Sequence, residues 1–336
     1  MTPIAPLLKL ARDGQLLPAL RANALFGPFY QVIWLAAAKR TGVLARLAGS
    51  AMRRGEMGAL HGGDATMRDA WEAWLAVGIR VGLLSFDGER YALSGLARAL
   101  SKPENDATLA LVEEVATLHY RLIGETPEKL SRGELWQLAD QDGELTARSS
   151  RALEAFQFDA IDRACPQAGP VRLLEIGCGE GHCMRHAAQR NASLTALGLE
   201  LQPDVAARAR ENVKGWGLES RIAVELSDVR ARESVAEFDI ATLHNNVYYF
   251  PTQQRADVLR HVRGFLREGG RLLLTTCCRG GNAGMAVLNL WGAATVGAGR
   301  LPDVAELRRQ LADAGFRHVE VRRLIPGDAY YAFVAR

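Results

Sequence analysis

Apolar residues recur at helical spacing through the first half of the chain and in short buried-type runs through the second; the rhythm changes near residue 168. In the first half, "FYQVIWLAAAKRTGVLARL" and "TMRDAWEAWLAVGIRVGLL" predict amphipathic helices, the second with Thr66 as N-cap and Asp69 in its first turn. Then "LLSFDGERYALS" places Asp87-Gly88 between two apolar-aromatic runs, a hairpin signal, and Ser94 opens another short helix. In "DATLALVEEVATLHYRLIG", Leu111, Val115, Leu118 and Leu122 form one helical stripe. A further helix, "SSRALEAFQFDAIDRACPQ", ends at Pro166. From residue 170 onward strands and helices alternate: "VRLLEIG", "LTALGLE", "RIAVELSD", "FDIATLHN" and "GRLLLTTCC" are five strands with helices between most of them, and "HVEVRRL" and "AYYAFVAR" close the chain as a strand pair. That alternation predicts an α/β fold with a parallel sheet covered on both faces.

The domain plan is therefore a helical region over residues 1–105, connecting helices over 106–167, and an α/β domain over 168–336. Helices followed by a small hairpin outline a winged-helix-like domain. The helix before the hairpin is bulky, with Trp71, Trp74, Leu75, Val77 and Ile79, where a DNA-reading helix would offer polar and basic groups. Burial or dimer packing is its expected role.

Composition narrows the picture little. The chain has 336 residues, is 48% hydrophobic and 24% charged, and has a net charge of +3, which supports neither a nucleic-acid nor an anionic-membrane partner. Five cysteines without repeated spacing suggest reduced thiols. The start lacks a signal-peptide pattern, and the longest apolar run, "VIWLAAA", is far shorter than the roughly 20 residues that span a bilayer. A cytoplasmic protein is expected.

The candidate chemistry centres on "LLEIGCGEGHCMRH", residues 173–186, which has two readings. One is a glycine turn after a strand, with Gly177, Gly179 and Gly181. The other is a metal site from Cys178, His182, Cys183 and His186. The dinucleotide fingerprint G-x-G-x-x-G is broken, since His182 stands where its third glycine belongs, which disfavours a dehydrogenase. Acidic residues accompany the turn: Glu175 on the first strand, Glu200 ending the second and Asp228 ending the third. Such a set suits a ligand with an ammonium group, a ribose diol and an adenine amine, and no phosphate. The metal reading lacks a C-x-x-C pair or a distant ligand to complete a tetrahedral site, and no metal is expected.

With "LLEIGCGEG", "GLELQP", "LSDVR", "FDIATLHNNVYYFP" and "LREGGRLLLTT" in this order, residues 168–336 resemble the class I S-adenosylmethionine-dependent methyltransferases, with a Rossmann-like seven-stranded domain. The whole chain is similar to small-molecule O-methyltransferases that carry an N-terminal winged-helix dimerisation domain. The resemblance implies S-adenosylmethionine as cofactor, a small-molecule acceptor and a homodimer. It places the methionine end at Gly177, Gly179 and Gly181 with Glu175 nearby, the ribose at Glu200 beside Leu201, the adenine at Asp228 and Val229, and the sulfonium near His244 and Asn245. Family members use a histidine just after the fourth strand as base; here Tyr248 takes that position, and a phenol of ordinary pKa about 10 is a poor base at neutral pH. His244 is the remaining base candidate, with Tyr248 orienting the acceptor. The expected acceptor pocket is mostly apolar, from His119, Phe156, Tyr248, Met285, Asn289, Leu290 and Trp291, while Tyr249, Phe250 and Pro251 are expected to pack under the sheet edge. Methylation of sulfur, nitrogen or carbon stays open because the histidine is replaced, and a cofactor-sensing DNA-binding regulator is the alternative of another class.

Overall fold

The computed structural model describes residues 4–60 and 64–336, and the chain divides into two compact units at Thr117/Leu118. The first unit contains α1 (Ile4–Arg12), α2 (Leu16–Arg40), α3 (Val43–Gly49), β1 (Met52–Arg53), α4 (Arg54–Ala59), α5 (Ala65–Arg80), β2 (Leu84–Phe86), β3 (Arg90–Leu93), α6 (Gly95–Leu100) and α7 (Asp106–Glu114). The predicted helix over "FYQVIWLAAAKRTGVLARL" is broken at Gly42, whose φ of 75° is left-handed and ends the α-helical run before α3. The three strands form a small antiparallel sheet in the order β1-β3-β2. The hairpin lies where Asp87-Gly88 predicts it. Phe86 pairs with Tyr91, Gly88 has φ 105°, and Asp87 Oδ1 accepts the amides of Glu89 and Arg90 at 2.8 and 2.7 Å.

Trp71 and Leu75 of α5 are buried as expected, and Trp74 stacks between Trp34 and Trp71 with 4.8 Å between centroids on each side. A Cβ on Gly78 would lie 2.5 Å from the Trp34 ring, so only glycine lets α5 approach this stack. Two expectations need correction. Val77 and Ile79 are exposed, because the buried face of α5 runs through Trp71, Leu75 and Gly78. The N-cap is Asp64, whose carboxylate accepts the Met67 amide at 3.0 Å; Thr66 is already inside the helix.

Val115–His119 form a π-helical turn between α7 and α8 (Tyr120–Ser131). The predicted stripe does not bury as one: α7 buries Leu109, Ala110, Glu113 and Glu114 and leaves Leu111 exposed, Val115 is exposed in the π turn, and Leu122 of α8 is fully buried. The second unit continues with α9 (Gly143–Ser150), α10 (Glu154–Ala164), β4 (Val171–Ile176), α11 (His182–Arg190), β5 (Leu194–Glu200), α12 (Pro203–Gly215), β6 (Ile222–Leu226), β7 (Phe238–His244), α13 (Arg255–Gly264), β8 (Leu266–Cys277), α14 (Ala283–Ala294), α15 (Val304–Asp313), β9 (Val319–Arg323) and β10 (Tyr330–Ala335). Its seven-stranded sheet runs β6-β5-β4-β7-β8-β10-β9, with β6 to β8 parallel and β10 antiparallel to both neighbours. The α/β reading with a closing strand pair is borne out. The chain winds outward from β4 to β6 and then returns to β7 on β4's other side, so the strand order reverses at β4. That reversal opens a crevice beyond the carboxyl ends of the strands. No helix among the described residues is long and apolar enough to cross a membrane.

Replacing Asp64 with alanine removes the side-chain cap of α5 and is expected to destabilise the first unit by about 1 kcal/mol, read as a lower denaturant midpoint. Thr66→Ala should leave the midpoint within experimental error.

Candidate active site

A cavity of about 370 Å³ lies at the carboxyl ends of the parallel strands. Glu175, Ile176 and the turn Gly177–Glu180 line it from β4; Leu199–Gln202 from β5; Ser227–Arg230 after β6; and His244, Asn245 and Asn246 from the end of β7. Tyr248, Tyr249 and Phe250 add an aromatic wall.

The turn is built around close approach. Gly177 and Gly179 have φ of 66° and 54°, and a Cβ on Gly177 would meet Asn246 Nδ2 at 2.5 Å. The Gly177 and Cys178 amides both donate to the Leu199 carbonyl, at 2.8 and 3.0 Å. Glu200 fixes the turn from the other side. Its Oε2 accepts the Gly179 amide at 3.0 Å, and its Oε1 accepts the Leu201 and Gln202 amides at 2.9 and 3.0 Å. Asp228 is bonded through both carboxylate oxygens to Arg230, which holds its carboxyl below the usual range. Arg230, with its guanidinium 5.9 Å from the Phe250 ring centroid, joins the lining without having been foreseen.

Glu175 is buried, and one of its carboxylate oxygens, Oε2, has no hydrogen-bond partner. Burial pushes its carboxyl up to about 8, with the Glu200 charge adding to the rise and the Met184 amide opposing it. His244 is also buried, and burial lowers its imidazole to about 4. Its Nδ1 lies 2.8 Å from Thr275 Oγ1, and its Nε2 has no partner. Asn245 has a φ of 55°, the left-handed region that favours glycine, and its buried Oδ1 is unpaired. Strain and unpaired polar atoms at one strand end are features of a ligand site.

The structure brings together Glu175, Gly177, Gly179, Glu200, Leu201, Asp228, Val229, His244 and Asn245 around the cavity. Gly181 falls outside the lining, at the start of α11 with φ 87°. Among the acceptor residues read from sequence, Tyr248 alone reaches the lining. Phe156 meets the edge of Tyr330, Asn289 Oδ1 accepts the Leu301 amide, and Trp291 packs against Tyr248 and Tyr249. Met285 is buried and His119 half-buried, both outside the lining. The segment after β8 does reach the cavity, through Thr295–Ala298 instead of α14. The cause is a bridge in which the Trp136 amide donates to the Ala294 carbonyl at 2.8 Å and the Val296 amide to the Trp136 carbonyl at 2.9 Å. Tyr249 and Phe250, expected under the sheet edge, line the cavity instead, and Gln141 Nε2 donates to Tyr249 Oη at 3.1 Å.

The Cys/His run of the glycine turn disperses. His182 faces Glu154 and Glu180, at 3.7 and 3.4 Å, and lines the cavity. His186 pairs with Asp162 at 2.9 Å and stacks on Phe158. Cys178 packs over Gly198, where a Cβ would lie 2.7 Å from its sulfur. Cys183 alone joins a group with metal-compatible atoms: its Sγ, a Glu175 oxygen and a His244 nitrogen lie within 4.8 Å of one another. Burial holds the Cys183 thiol well above its ordinary value, hence protonated, and a thiol is a poor ligand in that form. The sequence reading missed Arg151, Glu154 and Gln157, which line the cavity at a spacing of three. That polar i, i+3, i+6 face is a signal the sequence does carry.

Residues 174–272 match the family model of the methyltransferase domain. The chain is similar to the ubiquinone biosynthesis O-methyltransferase of Pseudomonas aeruginosa, 31% identical over 123 residues, covering 35% of this chain and 49% of that protein. The corresponding Xanthomonas axonopodis protein is 26% identical over 140 residues, covering 42% and 56%. The chain thus spans about half the length of the curated relatives it matches. In fold it is similar to the mitomycin 7-O-methyltransferase MmcR, with a TM-score of 0.79 and 18% identity over 98% of this chain and 99% of that one. It is also similar to human N-acetylserotonin methyltransferase in complex with SAM, with a TM-score of 0.73 and 16% identity over 96% and 97%.

Glu175 yields a test of burial. Its folded pKa lies above its unfolded one, so its contribution to stability is complete below about pH 4.5 and is lost as pH rises to about 8. Glu175→Gln should therefore unfold at a higher temperature than wild type at pH 8, with the gap shrinking toward pH 5, at up to about 1.4 kcal/mol per pH unit. A gap independent of pH would contradict the burial argument.

Proposed function

We propose that this chain, built around the methyltransferase domain of residues 174–272, is an S-adenosylmethionine-dependent methyltransferase that methylates oxygen on a small, partly apolar molecule. The observation that carries the reading is a single cavity collecting Glu175, Glu200 and Asp228 from three successive parallel strands around a glycine turn. The residues fit the cofactor: Glu175 has an unsatisfied carboxyl oxygen for an ammonium group, Glu200 a buried carboxylate for a ribose diol, and Asp228 with Val229 an edge and a face for adenine. Bound there, the cofactor supplies a methyl group on a sulfonium.

Acceptor positioning falls to the aromatic wall of Tyr248, Tyr249 and Phe250, together with Leu138 and Val296. Much of the rate can come from holding the acceptor in line. Proton removal is weakly served. His244 stays neutral at physiological pH, but with a pKa of about 4 it is a feeble base, and its Nδ1 is already engaged by Thr275. This combination favours an acceptor hydroxyl that is itself acidic, such as a phenol or an enol. The ubiquinone biosynthesis relatives are O-methyltransferases by name, which supports oxygen as the methylated atom.

The first unit supports a winged-helix-like dimerisation role. It carries a small three-stranded sheet, and α1 and α2 expose Leu8, Leu17, Leu20, Leu25, Phe26 and Ile33. Exposed apolar side chains in this number mark an interaction surface.

Calorimetric titration with S-adenosylhomocysteine tests the cofactor. Micromolar binding is expected to wild type and none to NADH. Glu200→Ala removes the carboxylate that would take the ribose together with the acceptor of the Gly179, Leu201 and Gln202 amides, and should weaken binding by at least about 100-fold. Absence of wild-type binding would sink the assignment. For the assembly, light scattering should give a dimer that the paired change Leu20→Glu and Phe26→Glu converts to a monomer; a monomeric wild type would refute it.

A further inference from the structure

From the cavity wall, a continuous chain of hydrogen bonds runs into the core of the second unit. The Cys183 thiol donates to Gln157 Oε1 at 3.5 Å, and Gln157 Nε2 donates to Tyr330 Oη at 3.2 Å. The Tyr330 hydroxyl donates to Thr275 Oγ1 at 3.1 Å, which leaves the Thr275 hydrogen for His244 Nδ1 at 2.8 Å. All five residues are buried. They come from α11, α10, β10, β8 and β7, so nothing local to the sequence requires them to meet.

The chain has one sense of donation, and that sense decides the imidazole. A hydroxyl carries one hydrogen. Tyr330 spends its hydrogen on Thr275, and the buried Thr275 hydrogen then has His244 Nδ1 as the acceptor at hand; an Nδ1–H donating to the second Thr275 lone pair would leave that hydrogen and Nε2 both unpaired, so acceptance by Nδ1 is the favoured arrangement. The His244 proton therefore sits on Nε2. That atom is buried without a partner, and so is Glu175 Oε2. Both side chains belong to the cluster in which a Glu175 oxygen, a His244 nitrogen and Cys183 Sγ lie within 4.8 Å. His244 and Glu175 are not hydrogen-bonded to each other, so an N–H at this range acts on the carboxylate as a nearby dipole, favouring its ionised form against burial.

We propose that Thr275, Tyr330 and Gln157 are positioning residues for the ammonium end of the cofactor site, acting by fixing His244 as its Nε2–H tautomer beside Glu175. The proposal rests on the cofactor reading above. Its physical content is that a buried carboxyl alone resists ionising, whereas a fixed neighbouring N–H lets it meet an arriving ammonium as a carboxylate. His244 is thereby a donor in the site, and its role as base is displaced.

Two ligands separate this from a merely structural role: S-adenosylhomocysteine, and its analogue in which hydrogen replaces the α-amino group. Thr275→Val deletes the hydroxyl that fixes the tautomer. It should weaken S-adenosylhomocysteine about tenfold and change the analogue less than twofold, with Thr275→Ser restoring wild-type affinity. Should the valine variant not fold, Tyr330→Phe, which unlocks the Thr275 hydrogen, provides the same comparison. Nitrogen chemical shifts of His244 should show Nε2–H in the wild type. Equal losses on both ligands, no loss on either, or an Nδ1–H imidazole in the wild type would each overturn the proposal while leaving the cofactor reading intact. A wild type that binds neither ligand would overturn both.

Discussion

The site depends first on what Glu200 does with its carboxylate. Three backbone amides, from Gly179, Leu201 and Gln202, converge on its two oxygens. All three donors are part-buried, and a hydrogen bond to a charged acceptor contributes about 1.5–3 kcal/mol. One side chain therefore closes the glycine turn of β4 onto the end of β5. The Leu199 carbonyl reinforces the closure by accepting two more amides from the same turn. With the turn held there, the crevice stays open between β4 and β7, where the strand order reverses.

The second constraint is polar accounting inside the core. Glu175 and His244 sit near the ends of adjacent strands, both buried, and their free atoms are not satisfied by the protein. A fold that only had to pack would fill such positions with Leu or Val. The unpaired atoms, with the left-handed Asn245 one residue past β7, concentrate unsatisfied and strained features at a single edge. That concentration separates a site from a crevice, and the apolar strands beneath, Leu173, Leu174, Leu243 and Leu274 among them, supply the rigidity that keeps it in place.

The part of the cavity around the glycine turn was legible because it is local. Strand, glycine turn and terminal acid are contiguous in "LLEIGCGEG", and the acids ending β5 and β6 repeat the same position in the alternation. The part of the lining supplied by Thr295 and Val296 was not, for a geometric reason: these residues are brought to the cavity by a tertiary contact, the bridge at Trp136. Nothing in the composition of α14 tells that its continuation, and not its own apolar face, turns toward the cavity. Smaller misreadings have the same origin. Asp64 outcompetes Thr66 as a cap because the helix begins one residue after it, and α7 buries the face of Leu109 and Ala110 with two glutamates, which apolar spacing alone does not single out.

The Cys/His run of the glycine turn illustrates the difference between proximity in sequence and in space. Cys178 lies in the turn, and His182 and His186, one helical turn apart, acquire separate carboxylate partners. Cys183 is rotated by about 100° from His182, and that rotation turns it inward. There it meets Gln157 at the head of the chain that ends on His244. The residue that looked like one ligand of a local metal cluster is thus the first donor of a long-range polar network. A thiol suits that place because it gives one weak hydrogen bond, occupies little volume and, kept protonated by burial, adds no charge next to Glu175.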